Sequence, residues 1–474
     1  MKVIDYLIKG ILIFLLVFTP ITFGAMEIWA FSIMELGILV IVIFWAIQNL
    51  FRISDFGIRN LKYEILFLSF FLVLILFQMI PIPSWILKIV SSKTNELRQV
   101  LSVSDSQLSI QHSNFPISFV PFATRIEFFK WLTLGGLFLF LLHGRFLEGR
   151  DRTTNRFLIL ILLIGAFESL YGLFEFFSGH RHILYLDGSS FVSAVTGTFI
   201  NRNYFAGYLL MVIPLSAGYL FSRGSFQKAR FMNWRHRLAS LDGKTLLIAF
   251  SIMVMIIGLI FSASRMGILS LLLSFSLIIL FFRDRRRREK KFSGPLVLIL
   301  GLAFLWAVWI GLDAVISRFF TTSEDFKGRW MIWANTFQIL KDFPLFGSGL
   351  GAFSQIFPMY RSFHIQGLVT HAENDYLQLA SEVGFIGIGL LLILFIFLFF
   401  KIVSGIRSLS PWEPQRFIGI GGLVGILALM FHSLVERNIQ VPANAFLFTF
   451  ILALVFRPIS QGGSLHPRKP IGRL

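Results

Sequence analysis

Cysteine is absent from this 474-residue chain, and charge is scarce, with Asp, Glu, Lys and Arg making up only 14%. Without cysteine there can be no disulfide and no thiolate metal site, which suits a protein facing an oxidising compartment. The low charge excludes an ordinary soluble surface, since soluble domains carry roughly 25%. The chain also has no Asp-x-Asp pair, no His-rich metal spacing, no Walker loop and no Gly-x-Ser-x-Gly elbow. A nucleotide-sugar or ATP site is therefore not expected, and neither is a bound metal or cofactor. No internal repeat and no low-complexity tract is visible.

What is present is apolar. Hydrophobic residues make up 56% of the chain, Phe alone numbers 57, and the mean hydropathy is +0.76. The apolar residues come in runs of about 20, the length that spans a hydrocarbon core of ~30 Å. Their positions predict about twelve spans, near 9–24, 29–49, 63–81, 127–144, 157–176, 203–222, 245–263, 266–282, 294–312, 384–403, 417–435 and 443–456. The fold class is thus an all-α, polytopic transmembrane bundle. The first run, Ile11 to Gly24, has no small-x-small cleavage site and leads almost directly into the second. It reads as a retained helix rather than a cleaved signal peptide.

The net charge of +18 does not point to nucleic acid. Most Lys and Arg fall in alternate short connections, as expected of cytoplasmic loops. The densest run is Arg283 to Lys291, a topology anchor and a contact for anionic membrane lipids. Both termini then face the cytoplasm of a bacterial inner membrane, and two long loops face the periplasm, near 82–126 and 313–383. The second loop predicts a helix over 327–341 with Trp330, Trp333, Phe337 and Leu340 on one side, lying at the membrane interface. Pro344 ends it, and Gly347, Gly349 and Gly351 predict a tight, close-packed turn.

The most informative segment is Thr370-His-Ala-Glu-Asn-Asp-Tyr-Leu-Gln378. Thr370 with Glu373 three residues later has the capping-box pattern. This predicts a helix with His371 at its first position and Asn374 and Asp375 one turn on. Carboxylates beside a His can set its orientation and pKa as a general base needs. The plainer reading is a surface His beside an ordinary cap. Arginines on the outer side are the second feature: Arg202, Arg265 and Arg329, with Arg318 and Arg361 in the long loop. They run against the positive-inside trend. Lipid-phosphate contact explains some of them, and a cluster for a diphosphate explains others, because guanidinium forks match phosphate oxygens. Glu35, Glu168 and Glu175 lie within spans. There they are functional candidates or partners of basic groups.

These motifs together resemble the O-antigen ligase and O-antigen polymerase family. The residues that carry the likeness are Gly328-Arg-Trp-x-x-Trp333, Pro344-Leu-Phe-Gly-Ser-Gly-Leu-Gly-Ala-Phe353 and His371-Ala-Glu-Asn-Asp-Tyr-Leu-Gln378. Gly197-Thr-Phe-Ile-Asn-Arg-Asn203 and Ser264-Arg-Met-Gly267 complete it. It covers roughly residues 190 to 460. The chain accordingly divides into N-terminal transmembrane helices (1–190), an O-antigen ligase-like region (191–457) and a cytoplasmic tail (458–474) expected to be disordered.

The resemblance implies a glycosyltransferase that moves a glycan from undecaprenyl diphosphate to an acceptor hydroxyl on the periplasmic face. It needs neither nucleotide nor metal. The acceptor could be lipid A core, another glycan or a protein. Carried onto this chain, His371 is the base, with Glu373 beside it as the second catalytic candidate. Arg265 and Arg329 hold the diphosphate, and Arg202, Asn203, Asn374 and Tyr376 line the donor or glycan site. One position departs from the pattern: many members read His-x-His-Asn, and this chain has Glu373 in place of the second His. The alternative reading is a multi-pass transporter or lipid-glycan flippase. Against it, the two halves show no matching repeat, and the unusual polar residues gather in outer loops.

Overall fold

Where lipid surrounds a chain, backbone N–H and C=O groups can be satisfied only within a helix or a closed barrel. Long apolar runs therefore dictate helices. The computed structural model describes residues 2–50, 62–104, 114–143, 152–179, 182–187, 194–223, 242–282, 322–364 and 367–460. In order these form α1 (Lys2–Ile21), α2 (Ile28–Leu50), α3 (Lys62–Met79), the short α4 (Ser84–Val90) and α5 (Ser92–Ser104), α6 (Pro121–His143), α7 (Arg152–Ser178) and α8 (Arg202–Ser222). They continue with α9 (Gly243–Phe261), α10 (Arg265–Phe282), α11 (Thr322–Asp342), α12 (Phe353–Tyr360), α13 (Asp375–Ser408), α14 (Pro414–His432) and α15 (Pro442–Ser460). Two minimal antiparallel pairs join β1 (Ile82–Pro83) to β2 (Asn114–Phe115) and β3 (His182–Ile183) to β4 (Leu186–Asp187).

Every expected span among the described residues falls on a helix. Among the described residues eight helices are long and apolar enough to cross a membrane, and three more carry shorter apolar stretches, Tyr63–Met79, Arg265–Ser276 and Pro442–Arg457. The expected span at 294–312, the basic run 283–291, Arg318 and the tail beyond 460 lie outside the described residues. One core runs through the bundle, from Leu12 on α1 to Phe456 on α15. Its centre is α8, buried from Asn203 to Phe221. Helix α14 lies against it so closely that a Cβ on Gly218 would stand 2.5 Å from the Phe417 carbonyl oxygen, and one on Gly421 2.4 Å from that of Pro214. Small residues let membrane helices approach this way and gain dispersion contacts.

The glycine-rich turn after Pro344 does a specific task. Helix α13 is interrupted at Gly384, whose φ of 66° and ψ of −174° are not helical. The carbonyls freed by the break accept from Ser348 N (to Ser381 O, 3.0 Å) and Gly349 N (to Glu382 O, 3.0 Å). The freed amides Phe385 N and Ile386 N donate to Pro344 O (2.7 Å) and Leu345 O (3.2 Å). Gln78 of α3 stitches the same place, donating to Phe346 O and Glu382 O and accepting from Leu350 N. The 344–350 turn thus plugs a broken helix, the arrangement that makes irregular backbone tolerable at membrane depth.

Helix α11 (Thr322–Asp342) covers the expected 327–341 helix, and its protein-facing side is a different one from its aromatic side. Ile332, Ile339 and Phe343 point into a small second core with Phe353, Ile356, Phe357 and Ala372, while Trp330 and Phe337 remain exposed. Of the other two residues expected on that side, Leu340 is buried and Trp333 is partly buried. The i, i+7 and i+11 spacing of Ile332, Ile339 and Phe343 carries this stripe, and the larger aromatics fall outside it.

Several connections meet at one end of the bundle. Thr198 Oγ1 is 2.9 Å from Pro20 O, Val195 N donates to Phe261 O, Phe119 N to Ser348 O, and Asp375 N to Ser433 O. The segments singled out by sequence come together at this loop-rich end.

Candidate functional site

The segment before α13 is not a capping box. The N-cap is Asn374, whose side-chain oxygen accepts from Leu377 N at 2.9 Å, and Asp375 is the first helical residue. Thr370 and Glu373 therefore do not cap, and His371 is not helical. The reason is tertiary. Trp333 Nε1 donates to Ala372 O (2.9 Å), and Gln378 Oε1 accepts from Ala372 N (3.0 Å). Tied on both sides, residues 371–373 run across the end of the helix, and Glu373 takes a left-handed φ of 51°. A left-handed non-Gly residue is uncommon and clusters at functional sites.

Asp375 then fixes the connection between α14 and α15. It is buried, and its Oδ2 accepts from Asn438 N (2.8 Å) and Ile439 N (2.7 Å). Two charged residues are thereby brought to the His371 segment. The Arg329 guanidinium, from α11, donates to Val435 O at 2.8 Å and pairs with Glu436 at 2.5 Å. The Arg437 guanidinium lies directly on His371, its Nη1 hydrogen-bonded to the ring Nε2. It also stands over the Tyr204 ring, 6.0 Å from the centroid. An arginine can only donate, so Nε2 carries the lone pair and Nδ1 the hydrogen, and Nδ1 is buried without a hydrogen-bond partner among the described residues.

Burial, the Arg437 charge and, more weakly, Lys130 push His371 down to about 3. Its imidazole is neutral across the physiological range. Burial pushes the Glu436 carboxyl upward, Arg329 opposes this, and the nearby Glu373 adds to it. The site therefore combines a neutral imidazole, two guanidinium groups and two carboxylates from three separate segments.

The other expected residues are placed as follows. Asn203 follows the N-cap Asn201 of α8, donates its backbone N–H to that cap at 2.8 Å, and interacts with Glu436. Arg202 opens α8 and Arg265 opens α10, both at the loop-rich end. Ser264, next to Arg265, is tied to buried His432 (Oγ to Nε2, 3.3 Å), which also receives the Asn438 amide on Nδ1 at 3.2 Å. Asn374 is engaged as a cap, and the Tyr376 hydroxyl donates to Met430 O at 2.9 Å. Arg361 lies apart, donating weakly to Gly367 O. Glu168 accepts from the backbone N–H and contacts the hydroxyl of Thr198, each at 2.8 Å. It thereby holds the Gly197-Thr198 turn, where a Cβ on Gly197 would stand 2.6 Å from its Oε2. Glu35 faces Lys130 and Glu127, which pair with each other at 2.7 Å.

Sequence reasoning missed Arg437, Glu436 and Tyr204 as site residues. A signal existed for Arg437, a cation in a short outer connection like Arg265. Glu436 and Tyr204 carry none, because their roles come only from the Asp375 link and the α8 approach. Among the described residues no group of three His, Asp or Glu side chains could hold a metal ion.

Fold and site together define a polytopic, mostly helical membrane protein whose loops gather a cationic and imidazole site at one end of the bundle. Residues 250–392, a stretch that contains Arg265, Arg329, His371 and Glu373, match the family model for O-antigen ligase. No curated protein matches the sequence significantly.

Proposed function

We propose that the protein transfers a glycan from a lipid diphosphate, undecaprenyl diphosphate, to an acceptor hydroxyl on the periplasmic side of the inner membrane, as an O-antigen ligase or polymerase does. The observation that carries this reading is the convergence of His371 with Arg437 and Arg329 at the loop-rich end. A base and fixed cations are what displacement of a diphosphate requires. The acceptor oxygen bonds to the anomeric carbon as the bond from that carbon to the diphosphate oxygen breaks, and the electron pair leaves with the diphosphate. Fixed guanidinium groups stabilise the charge that develops there, with Arg265 and Arg329 facing the diphosphate. The acceptor proton passes to His371 Nε2. A direct displacement of this kind inverts the anomeric carbon.

Several placements support the reading. Glu373, left-handed and only partly buried, stands beside the base. Asn203 and Arg202 lie at the start of α8 near Glu436 and Tyr204. Asn374 and Tyr376 act by fixing the start of α13 against α14. The test is turnover of a lipid-diphosphate glycan by purified protein, with the product's anomeric configuration read by NMR. His371→Ala is expected to be inactive, and near wild-type turnover by it would remove the proposed base.

A further inference from the structure

The contact between Arg437 and His371 places a cation on the atom that the transfer reading needs vacant. The Nε2 lone pair is the only basic position of the neutral ring, and an Arg437 N–H occupies it. The two arginines near the base also differ in their partners. Arg329 is held by the Glu436 carboxylate and the Val435 carbonyl. Among the described residues no carboxylate forms an ion pair with Arg437, and its Nε is buried with no hydrogen-bond partner. A guanidinium resting on a neutral imidazole and an aromatic face, rather than on a carboxylate, is readily drawn away by a stronger anion.

We propose that Arg437 is a clasp on His371: in the resting protein it covers Nε2, and on arrival of a diphosphate it turns to the anion and uncovers the base. Donor binding and base exposure are then one event. The acceptor hydroxyl cannot be deprotonated until the leaving group is in place, which also guards the lipid-linked donor against water. Departure of Arg437 removes the nearest positive charge from the ring, so the base strengthens as it is freed. The charged groups acting on the ring are Arg437 from the α14–α15 connection and Lys130 from α6; Arg437 in turn feels the Asp375 carboxyl of α13 and meets Tyr204 of α8, on which Glu373 and Glu436 also act. Of these, Arg437 alone is hydrogen-bonded to Nε2.

The clasp rests on the transfer reading for its purpose, but it can be tested without turnover. Diethylpyrocarbonate modifies neutral imidazole nitrogen, and peptide mapping by mass spectrometry reads residue 371 separately from the other histidines. The purified full-length protein is probed with and without inorganic pyrophosphate. In the wild type, modification of His371 is expected to be slow and to rise about tenfold with pyrophosphate, the scale of one charge-assisted hydrogen bond released. In Arg437→Met it should be fast under both conditions. Arg437→Lys, which keeps the charge, guards against a misfolded Met variant and should still respond to pyrophosphate. An unchanged or slower rate with pyrophosphate in the wild type would overturn the clasp, as would slow modification in a folded Arg437→Met protein. Acceleration by pyrophosphate in a protein that turns over no lipid-diphosphate glycan would keep the clasp and remove the transfer reading.

Discussion

At the scale of single residues, the motif from His371 to Gln378 is a set of separate tasks. Ala372 is the tether point for Trp333 and Gln378, Asn374 is the cap, Asp375 holds the 438–439 amides, and Tyr376 reaches α14. Removing the cap with Asn374→Ala should lower stability by about 1 kcal/mol, whereas Thr370→Ala should leave it unchanged, both read as thermal midpoints in detergent. Glu373→Gln keeps the left-handed backbone and loses only the charge, so a strong loss of transfer would assign the charge a direct role. Full activity in that variant would reduce Glu373 to a bystander.

Among the arginines, Arg265→Ala and Arg329→Ala are expected to abolish transfer without preventing insertion, and Lys should restore it only in part because it lacks the planar fork. The His371 imidazole adds a pH dependence. The folded protein holds it neutral down to about 3, whereas the unfolded chain takes up the proton near the ordinary value of 6.5. Its contribution to stability is therefore complete above the ordinary value and declines as pH falls toward 3. His371→Gln should lose less of its thermal midpoint on acidification than the wild type, and an equal loss would refute the assignment.

At the scale of elements, the broken helix α13 is the feature most open to attack. Gly384 is left-handed, and a Cβ there would lie 2.3 Å from Leu345 O. On Gly347, also left-handed, it would lie 2.2 Å from the Glu382 carbonyl oxygen. Gly384→Ala and Gly347→Ala should each lower the thermal midpoint, with strain of about 1–3 kcal/mol from the backbone alone. Gly389→Ala is the control, since nothing lies within 4 Å of a Cβ at that position. It should be neutral or slightly stabilising by helix propensity. A Gly384→Ala protein as stable as the control would mean that the 344–350 turn does not plug the break.

At the scale of the whole molecule, the proposed orientation puts residues 322–364 on the periplasmic side. Because the chain has no cysteine, a single cysteine replacing Ser362 reports on this without background. It should react with a membrane-impermeant maleimide in intact spheroplasts, and protection until lysis would reverse the topology. Transfer should also survive EDTA, since guanidinium groups neutralise the leaving group in the proposed mechanism. Loss of activity restored by magnesium or manganese would sink it.

Much of this architecture was legible in the amino-acid order. Spans are local properties: a run of about 20 apolar residues can satisfy its backbone in lipid only as a helix, and each such run among the described residues is one. The Gly347 to Gly351 turn was legible too, because three glycines at alternate positions shortly after Pro344 mark a tight turn that other residues adopt only with strain. Family likeness, too, was carried by short strings in order, and the match over 250–392 agrees with it. What the sequence could not decide was which helix end would be tied to which loop. Thr370 and Glu373 have the right spacing for a capping box, but Trp333 and Gln378 take Ala372 into tertiary hydrogen bonds and move the helix start to Asp375. Arg437 stands 66 residues from His371, and the grip of Asp375 and Arg329 on the α14–α15 connection lays one upon the other. Apolar periodicity is written residue by residue, whereas the site is made of buried polar bonds between distant segments, which exist only once the bundle has closed.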